Sequence, residues 1–111
     1  MAYAGSATKQ LTAQLRLKGG CEAQTLAGNL TLDASSANLL ALEPGGGARD
    51  VTVPTAADAT GLFFIIANTG SSGNSLTVKN PAAATIAVVA NARTTFIGSD
   101  GTNWISFGIL G

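Results

Sequence analysis

The sequence predicts an all-β protein, with short antiparallel strands in a compact β-sandwich or barrel of the jelly-roll type and an extended N-terminal arm. Apolar and polar residues alternate in several short runs, which is the pattern of strands with one buried face. Glycine, proline and asparagine interrupt these runs, and no segment after residue 30 favours a helix. Within the 111 residues we place the arm at residues 1–27 and the β domain at residues 28–111.

The arm is basic and contains one predicted strand. Its first 20 residues include three basic side chains and no acidic one, and residues 11–18 alternate between apolar and polar. Docking on an acidic protein neighbour is favoured over nucleic-acid binding, because three charges would contribute only a weakly salt-dependent phosphate interaction. We expect the arm to add a strand to a protein partner, with the contacts made by Lys9, Leu11, Leu15, Arg16, Leu17 and Lys18.

The β domain repeats one type of short strand. An apolar-Thr-apolar triplet occurs at residues 30–32, 51–53 and 76–78, at spacings of 21 and 25 residues. This irregular spacing does not by itself predict a solenoid repeat. Further strands are predicted at residues 38–42, 62–68, 84–89, 93–97 and 103–109.

Two turn signals predict hairpins. The pair Asp100-Gly101 is typical of a two-residue type I′ turn, which would pair residues 93–99 with residues 102–107. A Gly-Ser-Ser-Gly-Asn run at residues 70–74 predicts a second hairpin between the strands on either side of it.

Residues 62–66 (Leu-Phe-Phe-Ile-Ile) are apolar on both faces of a strand. Such a strand needs cover on both sides, which a sandwich or a neighbouring subunit can supply. We therefore predict Phe63 and Ile65 to lie in a subunit interface.

The composition argues against catalysis. The chain has no histidine and one cysteine, so the commonest general base and a thiolate zinc site are both absent. Its six acidic residues are scattered, and Gly45-Gly46-Gly47 lacks the Lys-Ser/Thr of a phosphate-binding loop. We expect no enzyme activity and no catalytic, cofactor-binding or metal-binding residues. Trp104 is either a sugar-stacking platform or a core side chain, and the core interpretation is favoured.

Residues 28–108 resemble the small β-rich modules of bacteriophage capsid decoration proteins, and of tail fibres and tailspikes. Two motifs in order carry the resemblance: Ile66-Ala67-Asn68-Thr69-Gly70 and Asp100-Gly101-Thr102-Asn103-Trp104. The resemblance implies a non-enzymatic and often trimeric virion component, without a cofactor. The short chain favours a decoration protein over a fibre.

We therefore expect a decoration protein that is made in the host cytoplasm and stabilises the phage head. It would bind the major capsid protein on the outer head surface as a homotrimer at three-fold or quasi-three-fold sites, and neither nucleic acid nor membrane. The alternative is a tail-fibre or tailspike module that binds a receptor or glycan.

Overall fold

The computed structural model describes residues 20–111, and this part of the chain contains nine strands and one short 3₁₀ helix. In chain order the strands are β1 (Cys21–Thr25), β2 (Leu30–Thr31), β3 (Leu39–Glu43), β4 (Arg49–Thr52), β5 (Phe63–Asn68), β6 (Leu76–Lys79), β7 (Thr85–Val89), β8 (Thr94–Ser99) and β9 (Trp104–Leu110). The 3₁₀ helix covers Ala57–Ala59, between β4 and β5. The prediction of an all-β protein is confirmed.

The strands form two mixed sheets. The first has the order β1-β3-β5-β8-β9, and the second has the order β2-β4-β6-β7. From β1 to β6 the chain alternates between the sheets, so that it makes three stacked coils, each with one strand in either sheet. The last three strands add to these coils, with β7 beside β6, β8 beside β5, and β9 beside β8.

The prediction of antiparallel strands is wrong for most of the pairings. Four of the seven strand pairs are parallel, namely β1–β3, β3–β5, β2–β4 and β4–β6. The reason is the coil: successive strands enter opposite sheets, and the next strand in the same sheet runs in the same direction one coil later. A jelly roll is built from antiparallel strands, so that part of the prediction is also wrong.

The threonine triplets turn out to stack in the second sheet. Leu30 pairs with Val51, and Thr31 with Thr52, so the first two triplets are in register. Val51 pairs with Val78, which places the third triplet two residues out of register. The irregular spacing in the sequence comes from corners of different length between the coils.

One apolar core draws side chains from both sheets. Burial alternates along β3, β5 and β8, so every second residue of these three strands of the first sheet points inward. The second sheet contributes side chains that have no solvent exposure, from Val51, Leu76, Val78 and Val89. These meet Leu40, Leu42, Phe64, Ile66 and Ile97 of the first sheet.

Asparagine side chains connect the coils and the sheets. The buried Asn68 amide donates to the carbonyl oxygens of Asn74 (2.9 Å) and Val89 (3.0 Å), while its oxygen accepts from the Gly70 N–H (3.0 Å). Asn38 donates to the Phe63 carbonyl at 2.7 Å. The Asn68-x-Gly70 part of the first motif therefore serves the fold, because it satisfies backbone groups where the chain leaves β5.

The hairpin between β8 and β9 is present, but its turn is not type I′. Ser99 pairs with Trp104, which leaves residues 100–103 as the loop. Gly101 has a φ of +94°, whereas Asp100 is not among the residues with positive φ. The Asp100 carboxylate instead accepts hydrogen bonds from the N–H groups of Thr102 (2.9 Å) and Asn103 (2.8 Å). These bonds stabilise a loop that is two residues longer than the predicted two-residue turn.

The second predicted hairpin, at residues 70–74, is wrong. The strands before and after it, β5 and β6, lie in different sheets, so this glycine-rich run is a corner. Its polar side chains bridge to the previous corner: Asn74 Nδ2 and Ser72 Oγ both donate to the Gly45 carbonyl, at 3.0 and 3.3 Å.

Candidate interaction surface

The strand that is apolar on both faces lies near the middle of the first sheet. In β5, Phe64 and Ile66 point into the core and have no solvent exposure. Phe63 and Ile65 point to the outer side of the same sheet and remain partly exposed. No described residue forms a second layer over this outer side, so the structure places both predicted interface residues on a surface.

An aromatic cluster lies next to Phe63. Its ring stacks on Phe96 with 5.3 Å between the centroids, and the Phe107 ring meets Phe96 edge-on at 5.4 Å. Gly98 makes room for this arrangement, since a Cβ atom there would lie 3.3 Å from the Phe107 ring. Phe107 is nevertheless 66% exposed. Together with Ile105 these rings line an open apolar groove of about 230 Å³.

The apolar surface continues across the sheet. The strand registers place Cys21, Leu39, Ile65 and Phe96 in one row over four strands, and Ala23, Ala41, Ala67 and Thr94 in the next. No residue in either row is charged. We name this surface the outer apolar face and define it by Leu39, Phe63, Ile65, Phe96, Ile105 and Phe107.

The strand β9 forms one edge of the same sheet. It pairs with β8 on one side, and no described strand pairs with its other side. Ile109 and Leu110 near its end are exposed. A long apolar edge strand offers unpaired backbone groups to another chain, so the outer apolar face borders an edge that can extend the sheet.

Acidic groups with shifted pKa values lie in turns. Backbone hydrogen bonds, from Asn103 first and then Thr102, lower the pKa of Asp100. Hydrogen bonds from Ser35, first from its hydroxyl and then from its backbone, lower the pKa of Asp33. Both shifts follow from local turn geometry. Among residues 20–111, no three His, Cys, Asp or Glu residues are grouped so as to hold a metal ion.

Trp104 packs against the core. Its ring stacks on Phe64 with 5.8 Å between the centroids, and its indole Nε1 donates to the Pro54 carbonyl at 2.8 Å. This contact agrees with the core interpretation. The ring is still partly exposed and lines a second groove, together with Asn103 of the second motif and with Asn80 and Thr85, for which the sequence analysis predicted no role in a site.

Comparison with protein families, curated proteins and solved structures finds no match to this chain. In the described range, no helix has the length and apolar character to span a membrane.

The predicted arm contacts Lys9, Leu11, Leu15, Arg16, Leu17 and Lys18 lie outside the described residues. Residues 21–25, which we assigned to the arm, form β1 and pair with β3 at the other edge of the first sheet. The sequence pointed to Phe63 and Ile65 through the doubly apolar strand. It missed Phe96 and Phe107 as their neighbours, because strand pairing brings these rings together from β5, β8 and β9.

Proposed function

We propose that this protein is a non-enzymatic structural protein that assembles through its outer apolar face. The observation that carries the proposal is the cluster of Phe63, Phe96 and Phe107 on a sheet surface that no described residue covers. Exposed apolar patches of this kind mark protein contact sites. Burial of such rings contributes about 25 cal/mol for each Å² removed from water.

We further propose that the assembly is a homotrimer that decorates a phage head. The support is the resemblance of residues 28–108 to phage decoration and tail modules, together with a chain in which only 11% of residues are charged. Low charge gives little repulsion between copies. We infer that the two sheets face each other as a β-sandwich, since the core draws on both, and that the outer apolar face holds the copies together.

In this proposal the trimer binds the major capsid protein at three-fold or quasi-three-fold sites on the outer head surface. The basic arm supplies the attachment, by adding a strand to a capsid subunit. Many copies that bind only the assembled shell stabilise that shell by mass action. The alternative is a tail-fibre or tailspike module, which the partly exposed ring of Trp104 in its groove would suit.

The first test is the solution mass of the full chain, by light scattering after gel filtration. We expect about 33 kDa, three times the 11.0 kDa of one chain. Phe107→Ser should reduce the mass to that of a monomer while the far-ultraviolet circular dichroism is unchanged. Val88→Ser is the matched control, because Val88 is 52% exposed but lies on β7 of the other sheet. A monomeric native protein would contradict the trimer.

The second test is attachment to heads that lack this protein, purified from the phage that encodes it. The full chain should co-sediment with the heads and raise their melting temperature. Deletion of residues 1–18 should abolish co-sedimentation and leave the melting of the β domain unchanged. Binding to phage tails and not to heads would favour the alternative function.

A further inference from the structure

A second groove, which Trp104 lines, has the chemistry of a sugar site. Its volume is about 460 Å³, within the roughly 300–1,000 Å³ of small-molecule sites. It is built where three turns meet: the segment after β4, the turn between β6 and β7, and the loop between β8 and β9. Residues far apart in the sequence therefore converge on it.

The groove offers hydrogen-bonding groups that the fold does not use. The hydroxyls of Thr85 and Thr102 and the side-chain amide of Asn103 make no hydrogen bond within the described part of the chain, and all three residues are exposed. Asn80 accepts from the Ala84 N–H through Oδ1, which leaves its Nδ2 donor free. Hydroxyls and amides of this kind pair with the hydroxyl groups of a sugar ring.

The same groove has an apolar wall that is held rigidly. The Trp104 side chain cannot rotate freely, because Phe64 stacks on its ring and the Pro54 carbonyl accepts a hydrogen bond from the indole N–H group. With that N–H group occupied, the indole presents carbon surface to the groove, beside Pro81 and Ile86. A fixed aromatic surface next to free amides suits a ligand that is apolar on one side and carries hydroxyls at its rim.

The absence of charge in the groove favours neutral ligands over charged ones. No residue that lines the groove is acidic or basic. A phosphate or a carboxylate would have to lose its hydration there without a cation to compensate for it. We propose that the groove beside Trp104 binds a neutral saccharide. The proposal holds for a head protein or a tail protein alike, because it concerns the isolated chain.

The test is a titration of the ¹⁵N-labelled full chain, followed by NMR, with millimolar galactose, glucose, N-acetylglucosamine, lactose and N,N′-diacetylchitobiose. At least one of these should shift the amide signals of Thr85 and Asn103 and the indole signal of Trp104. N-acetylneuraminic acid and glucose 6-phosphate, which are charged, should not. Binding only of the charged sugars, shifts only elsewhere, or no shift with any probe would each overturn the proposal.

Two double variants distinguish saccharide binding in the groove from binding elsewhere on the surface. Thr85→Ala with Thr102→Ala removes two hydroxyls from the groove and should weaken the affinity by about tenfold, as expected for two lost hydrogen bonds. Thr25→Ala with Thr69→Ala removes two exposed hydroxyls that do not line the groove, and should bind like the native chain. Equal affinities of the two double variants would overturn the assignment. Neither result bears on the solution mass or on head attachment.

Discussion

The indole Nε1 of Trp104 donates a hydrogen bond of 2.8 Å to the carbonyl oxygen of Pro54, fifty positions earlier in the chain. Pro54 follows the second-sheet strand β4, and Trp104 begins β9 of the first sheet. This bond, with the stacking on Phe64, joins the last hairpin to the stacked coils.

Trp104→Phe tests the bond while it retains an aromatic ring. We expect the free energy of unfolding to fall by about 1–3 kcal/mol, because the Pro54 carbonyl loses its partner and the smaller ring fills less space. Urea denaturation measures the change. Val88→Thr is the control, since Val88 is mostly exposed on β7, outside the outer apolar face, and its replacement should change the unfolding free energy far less. Equal effects would mean that the bond to Pro54 adds nothing.

Asn68→Asp tests the buried amide that connects the two sheets. The Asn68 Nδ2 group donates to two backbone carbonyl oxygens, so a carboxylate at this place would face two acceptors. We expect a loss of about 3 kcal/mol or more, as for other buried groups without a partner. The melting temperature of Asn103→Asp, at an exposed site, should stay close to that of the native chain. A stable Asn68→Asp variant would show that this side chain is not required.

The turn at Asp100 predicts a dependence of stability on pH. Its pKa is lowered from 3.8 by the backbone N–H groups of Asn103 and Thr102, so the folded state favours the ionised carboxylate. The stabilisation is present above pH 3.8 and is lost as the pH falls through the lower pKa of the folded state. Carbon-13 NMR titration of the Asp100 carboxyl should give a midpoint below 3.8, and Asp100→Asn should make the acid destabilisation shallower. A midpoint at or above 3.8 would contradict the turn geometry.

Alanine substitutions at two glycines can distinguish the cost of a left-handed backbone from the cost of a steric clash. Gly45 and Gly73 both have positive φ, of +78° and +86°, but a Cβ atom at Gly45 would lie 2.6 Å from the Leu26 carbonyl oxygen, whereas at Gly73 it would meet open space. Gly73→Ala should destabilise the protein by about 1–2 kcal/mol through the left-handed conformation alone. Gly45→Ala should lose clearly more, because backbone atoms of two coils must move apart. Thermal melting of the two variants compares them, and similar losses would contradict the close contact between the corners.

Part of this architecture could be read from the sequence because it depends on neighbouring residues. The two-residue period of a strand placed Phe63 and Ile65 together on one face of residues 62–66, and in β5 both lie on the outer side of the sheet, opposite the buried Phe64 and Ile66. The Asp-Gly pair located the last hairpin. Its turn type was wrong because the Asp100 carboxylate accepts backbone N–H groups, which favours a longer loop than positive φ at both residues would give.

By itself, then, the sequence determined the all-β class, which residues share one face of a strand and the places where the chain turns, since each depends on a few consecutive side chains. The tertiary structure alone decided that residues 70–74 are a corner between sheets, that the coils are parallel, and that Phe63, Phe96 and Phe107 meet. Strand pairing couples residues tens of positions apart, and many pairings satisfy the same alternation. Only packing around the common core, with buried amides such as that of Asn68 fully bonded, selects one of them.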